Sequence, residues 1–449
     1  MNNKNCGSGS NLEELEMKIL IYAQHFPPGR GGMEFSNFEI AKGLHNLGHM
    51  VEVVTVRNTG AENFVKRQVF PITLLPKWHF LKSYSLAGPS RANWLLQPIY
   101  SQRIRQRINL FRPDVIFVAD EAANCLWGSW VGKIKIPYMS YCSVPFIAVD
   151  GSKGNRGVLS DIKFAVEKAI ERQFKRFILE SYSSAKWIGV VSRSTRKEIL
   201  GLAPWLENRM DVIPRSIGDS FFDEKKNGTR ISALKQKLGI DEVDFVLLSV
   251  SNLESGKGVD DVLRALALLR GAVGKTFKYI VVGDGSASGL FRKLAQELGL
   301  SDVVIFPGNI PHSELIAYYD ACNLFILPSK RGKEESFGRV FVEAAARRKP
   351  SIGVNEGGMV DAVENGKTGF LVKTGDVHEV RDRIAWFLTN PEKATAMGNM
   401  AWRFAGTNFR SSTIARALEG RLKRASETYP GQDSRFSTKS IAVEVQHND

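Results

Sequence analysis

The sequence predicts an α/β protein made of two Rossmann-like, doubly wound domains that face each other across a cleft. Three observations carry that prediction. Short apolar strand-like runs alternate with helical patterns, this series occurs twice, and most glycine-rich or charged motifs fall just after a strand. Ligands of an open parallel sheet gather at the carboxyl ends of its strands, so motifs in those places belong to one cleft.

In the first series Met17–Tyr22 reads as a buried parallel strand and Met50–Val56 as the next. Between them Phe35–Leu47 carries apolar residues at helical intervals and stops at Gly48, which completes a βαβ unit. Asp114–Ala119, Tyr138–Tyr141 and Trp187–Val191 follow as strands, with helical patterns at Trp94–Leu110 and Asp161–Ser181. The second series is Phe245–Val250, Lys278–Val282, Val303–Phe306, Leu324–Leu327 and Ser351–Val354. The irregular, charged stretch Gly218–Arg230 is the best join, giving domains at 17–217 and 218–395 with helical residues 396–428 after them. The polar ends, 1–16 and 429–449, have the composition of disordered segments.

Composition narrows the function classes. The 449 residues are 43% hydrophobic and 24% charged, ordinary for a soluble globular protein. No apolar run approaches the roughly 20 residues that span a bilayer, and the N-terminus lacks the pattern of a signal peptide. Cys6, Cys125, Cys142 and Cys322 show neither metal-type spacing nor a disulfide framework, so a cytoplasmic location is expected. The excess of 61 basic over 47 acidic residues, +14 at pH 7, favours anionic partners. No nucleic-acid-binding motif accompanies it, so no nucleic acid partner is expected. Lys163, Lys168, Arg172, Lys175 and Arg176 are interleaved with Phe164, Val166, Ile170, Phe174 and Phe177 at helical spacing. That stretch is either the solvated face of a surface helix or a peripheral contact with an anionic membrane surface.

The most informative segment is Pro328–Ala344, PSKRGKEESFGRVFVEA. An apolar strand leads in, a polar loop turns, and a helix begins at a first turn of small residues, whose free N–H groups favour an anion such as phosphate. Glu335 and Glu343 stand with seven residues between them. On one helix they would lie roughly 12 Å apart along the axis, too far for a glycosidase pair, whose carboxyls sit about 5–9.5 Å apart. Two separate tasks along one extended ligand follow.

Other motifs also sit after strands, each with a plainer alternative. Gly31-Gly32 lets the backbone approach a phosphate or sugar, or simply turns after Pro27-Pro28. Lys257, in the turn Asn252–Gly258, offers a point charge to a pyrophosphate or is a solvated turn lysine. Gly283-Asp284-Gly285 is a tight turn or a nucleotide contact. Phe306-Pro307-Gly308, with Ile310 beside it, ends a strand or walls a nucleobase. The loop Gln24–Gly32 does not supply the GxGxxG turn of a nicotinamide dehydrogenase, which sets that class aside.

In their order and spacing these segments resemble the retaining glycosyltransferases of family 4, which have the two-domain GT-B fold. The resemblance runs from Lys18 to about Thr428 and is strongest from Phe245 to Val372. It implies an acceptor-side first domain, a nucleotide-sugar second domain and a C-terminal helix crossing back. A nucleotide-diphosphate sugar would be the donor substrate, with no cofactor and no metal. The acceptor would be a sugar, lipid-linked or small-molecule hydroxyl, as in polysaccharide, glycolipid or glycoside biosynthesis. The donor contacts implied are Gly32, Asn252, Lys257, Gly283, Ile310, Glu335, Ser336, Phe337, Gly338 and Glu343, with Glu335 and Lys257 catalytic. Glu343 would hold the ribose hydroxyls, its alternative being a helix pair with Arg347. Glu335 would orient the sugar, or would serve as an acid at a helix N-terminus. Lys257 and the amides of Phe337 and Gly338 would meet the charge on the leaving diphosphate.

The chain departs from the pattern in three places. Asn252 stands where the family usually carries an arginine, with Arg331 or Arg339 available to compensate. The stretch Ile136–Ser143 lacks the histidine of many relatives; Cys142 or Ser143 takes that place, and His25 is either a second cleft residue or a packed histidine. Pro214-Arg215-Ser216 replaces Pro-Asn-Gly, which alters the inter-domain contact or brings Arg215 near the phosphates. These departures leave a second reading, a nucleotide-sugar-binding protein with little or no transfer.

Overall fold

The computed structural model describes residues 16–29, 31–77, 97–129, 134–143, 172–223, 228–271, 274, 276–330 and 335–427. Outside them lie the polar ends apart from Glu16, Arg331, and most of the basic stretch beginning at Lys163.

The first sheet has seven parallel strands: β1 (Lys18–Ala23), β2 (Met50–Val56), β3 (Ile72–Leu75), β4 (Val115–Val118), β5 (Tyr138–Cys142), β6 (Trp187–Val190) and β7 (Met210–Val212). Their spatial order is β3-β2-β1-β4-β5-β6-β7. The second sheet has six: β8 (Phe245–Val250), β9 (Phe277–Val282), β10 (Val304–Gly308), β11 (Leu324–Ile326), β12 (Ser351–Val354) and β13 (Gly369–Val372), ordered β10-β9-β8-β11-β12-β13. All its pairs are parallel too. The strand order therefore reverses between β1 and β4, and again between β8 and β11, and a crevice opens at each reversal.

Both sheets are covered on two faces, so their central strands read as unbroken apolar runs rather than alternations. Every residue of β4 and β5 is buried. The helix Val259–Leu269 shows how the covering layer forms. Val259, Val262, Leu263, Leu266 and Leu269 make one buried stripe at helical spacing. Asp260 and Asp261 in its first turn oppose the positive end of the helix dipole.

The chain crosses back to the first domain at Phe409–Ser411. The helix Pro391–Asn408 packs against the second domain, where Gly398 fits so closely that a Cβ would meet the Arg348 carbonyl at 2.2 Å. Ile217 then takes backbone hydrogen bonds on both sides of Arg410, at 2.8 and 3.0 Å. The last helix, Ser411–Glu427, lies on the helix Gly32–Asn46, with His49 and Glu419 paired at 3.1 Å. No described helix is long and apolar enough to cross a membrane.

The strands β3, β7 and β13 were not foreseen from sequence. Each is a sheet edge of three or four residues, too short to show a period. Residues 172–184 are helical, and Phe174 and Phe177 pack against the first-domain core while Arg172 and Arg176 face outward. This part of the basic stretch is a helix resting on its own domain.

Candidate active site

Two loops at the second reversal build the site. After β8 the chain runs through Ser251 and Asn252 to Lys257, then enters the helix Val259–Leu269. After β11 it passes Leu327 and Ser329, reaches Glu335 and starts the helix Arg339–Ala346. The loops touch where only glycine fits. Gly258 has φ +79°, and a Cβ there would stand 2.0 Å from the Pro328 carbonyl. The Ser329 hydroxyl and the Lys330 N–H both donate to the Gly256 carbonyl, at 3.2 and 2.7 Å. Lys330 also binds Asp260 at 2.6 Å and Asp261 at 2.9 Å.

This closure brings the Lys257 ammonium directly onto Glu335, whose carboxylate also accepts from the Ser329 hydroxyl at 3.4 Å. The Gly358 N–H holds the Glu335 carbonyl at 2.7 Å. A cavity of about 380 Å³ opens here, and its wall includes Asn252, Lys257, Glu335 and the run Ser336–Gly338. Met33 and Arg215 from the first domain close its other side. Its size is that of a small-ligand pocket.

Four of the sequence-derived donor residues lie off this wall. Gly283, at φ +131°, supports the Asn252 loop from behind: a Cβ would meet the Ser251 carbonyl at 1.9 Å. Ile310 is half-buried and packs on the core. Gly32 touches the cavity's arginines, its carbonyl accepting from Arg339 at 3.1 Å. Glu343 is buried, and its carboxylate accepts from Arg339 Nε at 2.9 Å, His312 Nε2 at 3.1 Å and Tyr319 Oη at 2.9 Å. Burial opposes its charge, but the His312 hydrogen bond and the Arg339 guanidinium overcome it and hold the carboxyl at about 2. The alternative pairing of Glu343 with Arg347 does not form. Arg347 is drawn to Asp320, at 2.8 and 2.9 Å, and to the carbonyls of Phe221 and Asp223. Phe306 carries the Arg292 guanidinium over its ring, 4.7 Å from the centroid.

The cleft is crossed by direct contacts. Arg339 reaches the Ser36 hydroxyl at 2.9 Å, and His312 stacks on Phe35 with centroids 4.2 Å apart. Arg193 pairs with Asp361, whose carboxylate also takes the Arg193 N–H at 2.7 Å. Arg339 thus lines the cavity while its Nε and NH1 are engaged by Glu343 and the first domain. His312, Tyr319 and Phe35 belong to no recognisable motif, and only coordinates reveal them.

On the first-domain side Ser143 is held by Glu121, which accepts both its N–H and its hydroxyl, the latter at 2.8 Å. His25 Nδ1 lies 3.6 Å from Asp120, in ion-pair range but beyond a hydrogen bond. Burial works against the imidazolium, yet the Asp120 carboxylate raises it to about 9. Asp120 itself accepts from the backbone of Gln24, His25 and Ala123.

Comparison with known families agrees with this arrangement. The model "Glycosyltransferase Family 4" matches residues 30–220 and "Glycosyl transferases group 1" matches residues 231–403. The chain belongs to glycosyltransferase family 4. The N-acetyl-alpha-D-glucosaminyl L-malate synthase of Bacillus anthracis is 34% identical over 202 residues, 44% of this chain and 51% of that protein. A GDP-mannose-dependent alpha-(1-6)-phosphatidylinositol monomannoside mannosyltransferase of Mycobacterium tuberculosis is 33% identical over 181 residues, 39% of this chain and 47% of its own. The chain thus spans about half the length of the curated relatives it matches. Among solved structures, Anabaena HepE in complex with UDP and glucose superposes with a TM-score of 0.70 at 20% identity, covering 91% of this chain and all of that one. The fold of this family-4 chain is accordingly GT-B, two Rossmann-like domains with the last helix returned to the first.

Proposed function

We propose that the protein moves a sugar from a nucleotide-diphosphate sugar to an acceptor hydroxyl, with retention of anomeric configuration. One observation carries the reading: Lys257, Glu335 and the Ser336–Gly338 backbone share a single cavity at the carboxyl ends of β8 and β11. The difficult part of such a transfer is the charge that builds on the departing diphosphate. Lys257 and the amides of Phe337 and Gly338 meet that charge, because preorganised donors need no rearrangement when it appears. The acceptor oxygen attacks the anomeric carbon on the face the diphosphate leaves. The sugar–phosphate bond breaks, and the acceptor's proton passes to the leaving phosphate. Glu335 orients the sugar and stabilises its positive charge without bonding to it.

Glu343 serves the ribose. A carboxylate offers about four acceptor positions, and three are taken by Arg339, His312 and Tyr319. As the site stands the carboxylate is buried behind these three groups, so it reaches the ribose hydroxyls when His312 turns away. The relative named for GDP-mannose and the neighbour solved with UDP and glucose support a nucleotide-diphosphate hexose as donor. The acceptor is a sugar, lipid-linked or small-molecule hydroxyl.

A second reading, binding of a nucleotide sugar with little transfer, is favoured by Ser143, whose N–H and hydroxyl are both committed to Glu121. A mass-spectrometric screen of the protein against UDP-, GDP- and ADP-sugars separates the two. Under the transferase reading Lys257→Ala weakens both nucleoside diphosphate binding and turnover. Glu335→Gln releases Lys257, so diphosphate binding tightens several-fold while turnover falls about 100-fold or more. Tight binding without turnover across the panel selects the second reading, and absence of both removes the assignment.

A further inference from the structure

Arg215 follows β7 and reaches the first-domain wall of the cavity, opposite Asn252 and Lys257. Its side chain is in an unusual state. The residue is only 9% exposed, NH2 donates to the Ser143 carbonyl at 3.1 Å, and the buried Nε has no hydrogen-bond partner. NH1 stands beside Gly32, 4.0 Å from where a Cβ would project, so the absence of a side chain there leaves room at the guanidinium. Among the described residues Arg215 has no ion-pair partner. Glu121, which binds Ser143, and Glu34 are near enough to attract it without pairing with it, and the Arg339 guanidinium is near enough to repel it. An arginine fork with unspent donors is suited to a phosphate.

Building on the nucleotide-sugar reading, we propose that Arg215 is a diphosphate ligand, supplying from the first domain the second cation that position 252 of the second domain lacks. Lys257 then holds the diphosphate from one domain and Arg215 from the other. The clamp exists only while the cleft is closed, so diphosphate binding and domain closure reinforce each other. The same fork would fit a phosphate on an acceptor, and titrations without acceptor tell the two sources apart.

The test is calorimetric titration of the full chain with UDP, GDP and ADP, followed by the tightest of these against Arg215→Met, Arg215→Lys and the double variant Arg215→Met/Asn252→Arg. Arg215→Met is expected to bind the diphosphate about 10–100-fold more weakly, with a smaller loss for the matching nucleoside monophosphate. Arg215→Lys falls between the two, and the added arginine at 252 restores most of the loss. Thermal unfolding checks that each variant is folded before its affinity is compared. Unchanged diphosphate affinity in either folded single variant overturns the assignment, including the case where Arg215 serves an acceptor phosphate. Should wild type bind none of the three diphosphates, the nucleotide-sugar reading itself fails and this inference falls with it.

Discussion

Glu343→Gln is the perturbation whose size follows most directly from the structure. The carboxylate is 3% exposed and takes donors from Arg339, His312 and Tyr319. Held at about 2 in the fold against its usual 4.5, it contributes about 3 kcal/mol at neutral pH, at about 1.4 kcal/mol per tenfold change in proton affinity. The folded value lies below the unfolded one, so this stabilisation is full above pH 4.5 and is lost as pH falls from there through 2. About 2 kcal/mol of it remains at pH 3.5. The variant also leaves Arg339 without its carboxylate, which weakens the bridge to Ser36 and Gly32. Urea unfolding followed by tryptophan fluorescence reads both domains, through Trp127 and Trp187 in the first and Trp386, edge-on against Phe370 and Phe387, in the second. The gap between wild type and variant is expected to narrow by about a third between pH 7 and pH 3.5. A gap below about 1 kcal/mol at pH 7, or one that stays constant on acidification, would refute the account of this carboxylate.

Two further outcomes are expected. Gly258 and Gly271 share φ +79°, but a Cβ at Gly258 meets the Pro328 carbonyl at 2.0 Å whereas Gly271 faces open space. Gly271→Ala should cost only the left-handed backbone strain, about 1–2 kcal/mol, while Gly258→Ala should cost clearly more and abolish nucleotide binding, as thermal unfolding and calorimetry would register; equal costs would show that the loop contact is unimportant. His25 is raised to about 9 by Asp120, so its stabilisation is full below pH 6.5 and is lost as pH rises through 9. The melting temperature of His25→Gln should lie below wild type at pH 6 and converge on it by pH 10, and parallel curves across that range contradict the pairing.

Much of this architecture was legible in the chain because central strands announce themselves. β2, β8 and β12 have the bounds their largely apolar runs predict, since both faces of each are covered. The edge strands β3, β7 and β13 escaped notice because a half-covered strand of three or four residues shows no pattern. At the site, the order and spacing of the motifs pointed to the loop of Glu335 and the turn of Lys257, where each taken alone has a plainer use as a helix start or a solvated turn. They did not reveal that these two side chains touch, nor that Arg339 is engaged by Glu343 and the first domain. Partners 78 residues apart depend on which strands of one sheet are neighbours, and partners 303 apart on how the two sheets are set together, and local pattern carries no record of either.

The contact between the two loops explains how Lys257 and Glu335 come together. Lys257 and Glu335 approach because Gly256 receives both Ser329 and Lys330, because Gly258 lets Pro328 come close, and because Lys330 is anchored on Asp260 and Asp261. These cross-links tie Pro328–Lys330, at the start of the loop after β11, to the loop after β8 and to the helix that follows it. On the proposed function, a phosphate arriving at Lys257 competes with Glu335 for the same ammonium, and the displaced carboxylate is left beside the sugar.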